Sequence, residues 1–174
     1  MRRFLDGLYR ASGGIAMFAI VVIVVTVVAQ VGGRMLGVLV PGADDIAGYA
    51  LTASSFFGLA YTLRTGAHIR LTLLLNATGP RARRGLETAS LAVGAMLAAY
   101  FSYYVGEMVW DAWRFGDKAQ GVLAVPLWIP QSLMGLGSIV LFIAFVDDLV
   151  AALRGRPLSY ETVGAGATPI TRDV

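Results

Sequence analysis

Four stretches of this chain contain no Asp, Glu, Lys, Arg or His: Ala11–Gly33, Ile46–Leu63, Thr88–Gly106 and Ala119–Val146, of 23, 18, 19 and 28 residues. A helix rising about 1.5 Å per residue needs roughly 20 apolar residues to cross about 30 Å of hydrocarbon. Each stretch is therefore about one span long, and none is long enough for two. Backbone amides in lipid find no water, so a span is a helix or part of a closed barrel. Period-two alternation is absent, which predicts helices. The expected fold class is an all-α membrane protein with four transmembrane helices. They form a single domain over 1–156, followed by a flexible tail, 157–174, rich in Gly, Thr and Pro. Composition points the same way: 57% of the 174 residues are hydrophobic and 14% charged, against about a quarter charged in soluble domains.

The spans are predicted at about 11–33, 46–63, 86–110 and 130–153. The first holds the β-branched run Val21–Val28, whose length and lack of turn residues favour a lipid-facing helix over a strand. Ahead of it, Phe4, Leu5, Leu8 and Tyr9 share one face, with Arg2, Arg3, Asp6 and Arg10 around them. That pattern predicts a short amphipathic segment lying in the interface. A cleavable signal peptide ending at Ala29 is the competing reading, but the apolar run exceeds the usual core of about 7–15 residues, so retention is expected. Asp44 and Asp45 precede the second span and suit its N-terminus, where the helix dipole favours anions. Pro126 and Pro130 interrupt the last stretch, so the fourth span is expected to start near Pro130 with Val125–Ile129 extended before it. From there the rise to Asp147 is about 26 Å, which puts that residue near the far interface.

The basic residues fix an orientation. Eleven of the fourteen fall on one side: Arg2, Arg3 and Arg10 at the start, Arg64, Arg70, Arg81, Arg83 and Arg84 in the middle loop, and Arg154, Arg156 and Arg172 at the end. The other side holds Arg34, Arg114 and Lys118. The positive-inside rule puts both termini and the middle loop in the cytoplasm, in an inner-membrane protein with N-in/C-in topology. Trp110, Trp113 and Trp128 all flank the opposite loop as an interfacial belt. Because the arginines sit in short loops beside apolar runs, the pI of about 9.5 is a topology signal and not a sign of nucleic-acid binding. Within the middle loop, Leu71–Leu75 is too short to cross. It is expected to lie along the membrane surface, either packed into the acyl boundary or serving as a docking shelf for another protein.

No catalytic, cofactor-binding or metal-binding constellation appears. The chain has no cysteine and one histidine, His68, too little for a zinc site of the common kind. His68 reads as an interfacial histidine bonded to backbone or headgroup, or as an anchor of the loop against a partner subunit. Glu107 and Asp111 lie one helical turn apart, where they either pair with Arg114 or are hydrated. Asp147 and Asp148 sit at the C-terminal end of the fourth span, where the dipole disfavours anions. A structural ion pair with Arg10 or Arg154 is expected there, and Arg64 is on the same side. Carboxylates that carry ions are expected nearer the midplane, with discontinuous helices in repeated halves. No span has either feature, so the chain alone is poorly equipped to move a solute.

It is better equipped to pack. Ser90, Gly94, Ala98, Ser102 and Gly106 recur every four residues in the third span, as do Ala50, Ser54, Gly58 and Thr62 in the second. Small residues at this spacing let helices approach closely in lipid. One ridge would serve internal packing and leave the other for a partner.

Two stretches carry a family resemblance. Arg64-Thr65-Gly66-Ala67-His68-Ile69-Arg70 fits an R-x-G-x-H-[IV]-R pattern after a second helix, and Gly121-Val122-Leu123-Ala124-Val125-Pro126-Leu127-Trp128-Ile129-Pro130-Gln131 fits a proline- and tryptophan-containing entry to a fourth. Together, over roughly Asp44 to Arg154, they resemble the small membrane subunit of tripartite ATP-independent periplasmic (TRAP) transporters, the DctQ family. The chain departs from the pattern at Thr72, where many members have aspartate, so no carboxylate role is carried over there. Asp147 and Asp148 have no counterpart in the pattern. The resemblance implies a non-catalytic four-helix scaffold bound to a much larger multi-span subunit that holds the sodium and substrate sites of an elevator-type importer. A periplasmic solute-binding protein would deliver an organic acid. Partner contacts would then fall on Arg64, His68, Arg70, Ser54, Gly58, Gly94, Ala98, Ser102, Gly106, Trp128 and Pro130. Membrane lipids are the remaining partner. Two other functional classes fit four short spans: a self-sufficient exporter working as a homodimer, and a structural membrane protein. The exporter reading needs an embedded carboxylate in the first helix, and Ala11–Gly33 has none.

Overall fold

The computed structural model describes residues 2–65 and 80–155, with side chains over 5–63 and 84–155. It contains four helices: α1 (Arg2–Met35), α2 (Ala43–Thr65), α3 (Pro80–Phe115) and α4 (Trp128–Leu153). All four are long and apolar enough to cross a membrane. The helices are longer than the charge-free stretches because charge bars a side chain from hydrocarbon but does not stop a helix. Thus α3 continues past Glu107, which lies about 5 Å inside Trp110, through Asp111 and Arg114 to Phe115. Arg34 and Arg114 lie in the last turns of α1 and α3, where a cation complements the dipole.

α1 packs along α2, α2 along α4 and α4 along α3, with a sparser contact between α1 and α4. α2 and α4 are therefore the central pair, flanked by α1 on one side and α3 on the other. The tryptophans gather at the end holding the α1–α2 and α3–α4 connections, while Arg10, Arg84 and Arg154 lie at the other.

Each of the three main interfaces is keyed by a glycine that admits an aromatic residue of the facing helix, its ring at Gly13 and Gly94 and its Cβ and backbone at Gly137. A Cβ built on Gly13 of α1 would stand 2.7 Å from the Tyr61 ring of α2. On Gly94 of α3 it would stand 2.5 Å from the Phe145 ring of α4, and on Gly137 of α4 it would stand 2.6 Å from Phe56 Cβ of α2. Because Gly137 leaves this room, the Phe56 ring reaches past α4 and stacks on Phe101 of α3 at 5.4 Å and 13°. Two hydroxyls reinforce the pairs. Ser12 donates to the Phe57 carbonyl across α1–α2 at 2.8 Å, and Ser102 donates to Ser138 across α3–α4 at 3.1 Å. The rest of the buried interior is largely alanine: Ala16, Ala19, Ala53 and Ala60, then Ala95, Ala98 and Ala144. In lipid, where tails are as apolar as leucine, such close backbone approach drives association.

Two boundaries differ from expectation. α4 starts at Trp128 and not at Pro130, because a proline within the first helical turn loses no internal hydrogen bond; Trp128 and Ile129 are thus helical. At the other end, α1 runs unbroken from Arg2 to Met35. Its apolar face, Leu5, Leu8 and Tyr9, packs against Ala60, Leu63, Val140 and Ala144. The segment expected to be amphipathic is thus the first part of α1, and its apolar face closes the core at this end of the bundle. Of the expected features, His68, Arg70, Leu71–Leu75 and the tail 157–174 lie outside the described residues.

Candidate functional site

The tryptophan end is tied together by the first turn of α2. Asp44 and Asp45 lie there, as the dipole favours, and each also holds a neighbour. Gln30 of α1 donates to Asp44 at 2.9 Å. The Leu123 amide, 78 residues away in sequence, donates to Asp45 at 3.1 Å. Leu123 belongs to the 116–127 connection, which folds back on itself: Ala119 N–H donates to the Val125 carbonyl and Leu127 N–H to the Asp117 carbonyl, each at 2.9 Å. Gly121 sits directly on the Asp45 carboxylate, where no side chain fits, and the Leu123 side chain lies over Gly42, whose φ is 76°. The connection is thereby clasped to the opposite hairpin.

The two flanking helices expose different chemistry. The outward face of α1 is apolar, with Met17, Phe18, Val21, Val25, Val28 and Val31 exposed. Its one hydroxyl in that stretch, Thr26, is satisfied by the Val22 carbonyl of its own helix at 2.7 Å. Such a face suits lipid tails. α3 exposes Tyr100, Tyr103, Tyr104, Trp110 and Trp113. Ser102, Tyr103, Gly106, Glu107, Trp110 and Asp111 line an open groove of about 600 Å³ on this face. The Tyr103 hydroxyl donates to Glu107 Oε1 at 2.8 Å. Of the two readings of these acids, pairing with Arg114 or hydration, the first is not seen: the Arg114 guanidinium lies 5.8 Å from the Phe115 ring centre.

The predicted ridge on α3 divides between two surroundings. Gly94, Ala98 and Ser102 face α4 through Phe145 and Ser138, whereas Ser90 is exposed and Gly106 has open space where a Cβ would stand. A four-residue repeat on a helix of about 3.6 residues per turn drifts about 40° per step, so one ridge cannot keep one partner along its length. The α2 ridge serves α1: Ala50 packs on the buried Ala16, Ala19, Ala53 and Phe57 cluster, and a Cβ built on Gly58 would stand 3.8 Å from Ala16 Cβ. Ser54 and Thr62 donate to carbonyls of their own helix. Trp128 is partly exposed at the start of α4 and Pro130 is buried. At the arginine end, Asp148 is 2% exposed, and neither it nor Asp147 lacks a partner; Arg10 and Arg154 are exposed. Arg64 lies in the last turn of α2.

The sequence alone did not reveal the Asp45–Leu123 clasp, whose partners are far apart in the chain, or the Tyr103–Glu107 groove. For the groove a signal existed: polar and aromatic residues at helical spacing beyond the point where the ridge turns away.

The geometry is thus a clasped four-helix unit with an apolar α1 flank and an α3 flank whose exposed apolar residues are joined by an acidic, aromatic groove. The family model for the DctQ component of tripartite ATP-independent periplasmic transporters matches residues 23–155. The chain belongs to the DctQ family. The match runs from within α1 to just past α4 and takes in the clasp and the groove. It makes the chain a multi-pass membrane component of a TRAP transporter, one part of a three-part assembly. Among curated proteins, none matches the chain.

Proposed function

We propose that this DctQ chain is the non-catalytic small permease subunit of a sodium-coupled TRAP importer of an organic acid, acting as a fixed brace for the large membrane subunit. The carrying observation is the interior. Among the described residues, the buried polar side chains are Ser12, Ser138 and Asp148. Both hydroxyls are hydrogen-bonded within the bundle. Asp148 lies about 30 Å along α4 from Trp128, at the far end of the span. An interior of alanine, glycine and aromatic rings has no midplane charge with which to bind an ion or an anionic solute. Sodium and substrate sites then belong to the large subunit, and this chain needs no cofactor.

In this reading both termini face the cytoplasm of a bacterial inner membrane, and the tryptophan end faces the periplasm. The clasped 116–127 connection offers the solute-binding protein a preformed periplasmic surface, with Val122 strongly exposed at its tip. The cytoplasmic loop with Arg64, His68 and Arg70 steadies the assembly against lipid headgroups and the partner. Asp147 and Asp148 complete the cytoplasmic end as structural acids near Arg10 and Arg154. Affinity purification of the tagged chain from its native membrane tests the reading. A stoichiometric large multi-span subunit is the expected companion; recovery only as a homodimer favours the exporter alternative.

A further inference from the structure

The geometry points to the Glu107 groove of α3 as the seat of a transmembrane helix of the large subunit, one that presents a basic side chain to Glu107. This rests on the brace reading and names the surface and the chemistry by which the brace is attached.

Depth carries the first part of the argument. Val105 lies 3.4 Å from the position of a Gly135 Cβ, which ties this level of α3 to a point about 10 Å inside Trp128 along α4. Glu107 lies about 5 Å inside Trp110, and Tyr103 about 10 Å inside it. A carboxylate at that depth is costly unless it is paired or hydrogen-bonded. The Tyr103 hydroxyl satisfies one oxygen of Glu107. Among the described residues no cation pairs with Glu107 or with Asp111, and acyl chains have none to offer.

Charge and shape supply the rest. The groove carries two acids and no base, so its complement is cationic. Its floor at Gly106 is open, which lets a second backbone come close. Its walls are Tyr103 and Trp110, 63% and 59% exposed, and such amphipathic rings are enriched where proteins meet. The α1 flank has open glycines too, Gly14 among them, but its exposed stretch from Met17 to Val31 carries no acid, tyrosine or tryptophan.

The test uses the full chain co-expressed with the large subunit. Glu107→Arg and Gly106→Leu are expected to cut recovery of the complex at least about tenfold, with Glu107→Gln intermediate. Gly14→Leu, also with open space around it, should leave recovery unchanged. All four variants should melt like wild type as isolated chains. Since the chain has no cysteine, Gly106→Cys carrying a benzophenone label reports the occupant directly. An adduct with the large subunit supports the assignment, whereas adducts with lipid alone or with a second copy of this chain overturn it. Full recovery of Glu107→Arg and Gly106→Leu also overturns it, while leaving the brace reading intact. Failure of the wild-type chain to retain any large subunit sinks the brace reading itself.

Discussion

At Gly137 the missing side chain is what lets α2 and α4 meet. A methyl there would press on Phe56 Cβ at 2.6 Å, and on the Phe56 carbonyl carbon and the Phe57 nitrogen at 3.0 and 3.2 Å. Backbone cannot step aside without parting the helices. At Gly94 the obstacle is the Phe145 ring alone, which can turn. Overpacking typically costs about 1–3 kcal/mol. Gly137→Ala should therefore destabilise the chain in detergent by about 3 kcal/mol and Gly94→Ala by about 1 kcal/mol. Reversible unfolding followed by circular dichroism measures both, and an equal or inverted order would mean that the α2–α4 contact is looser than described. Spacing alone singles out neither glycine: Gly94 is one of five small residues in a four-residue repeat that only partly faces α4, and Gly137 falls in none. What marks them is a residue on another helix, the Phe145 ring at Gly94 and the Phe56 Cβ and backbone at Gly137, and pairing between residues so far apart in sequence is not visible in a local pattern.

The helices themselves were legible, because freedom from charge over a bilayer's thickness is a local property. Their ends were less so. α3 extends past its apolar stretch because a charged residue does not break a helix, and α4 absorbs Pro130 in its first turn. Gly37 and Gly116, with φ of 72° and 68°, terminate α1 and α3. At Gly37 the Val38 amide reaches the Gly33 carbonyl at 2.8 Å and the Gly37 amide the Arg34 carbonyl at 3.3 Å, the paired closure that a left-handed glycine permits. The 116–127 connection depends on a different device, the Asp45 carboxylate. Asp45→Ala should expose the Leu123 amide and speed its hydrogen exchange about tenfold or more, with exchange within α2 and α4 unchanged. Unaltered protection at Leu123 would show that the clasp is held by the Leu123 side chain over Gly42 instead. Asp45→Ala is also expected to weaken capture of the solute-binding protein several-fold, since a loosened surface must be ordered again on binding. Binding measured on complexes in nanodiscs checks this, and undiminished affinity places the docking surface elsewhere.

As a whole, the molecule is a run of helices, α1–α2–α4–α3, held by close contacts at glycines, with an apolar flank at one side and an acidic, aromatic groove at the other. The family match and this asymmetry point the same way: a part built to stand between lipid and a larger protein. Its central claim is that the chain braces a carrier and carries nothing itself. The direct measurement is uptake of the solute into liposomes under an inward sodium gradient, with binding protein outside and either this chain alone or this chain with its large subunit in the bilayer. The account predicts uptake indistinguishable from empty liposomes for the chain alone and sodium-dependent uptake for the pair. Solute accumulation by the chain alone would contradict it.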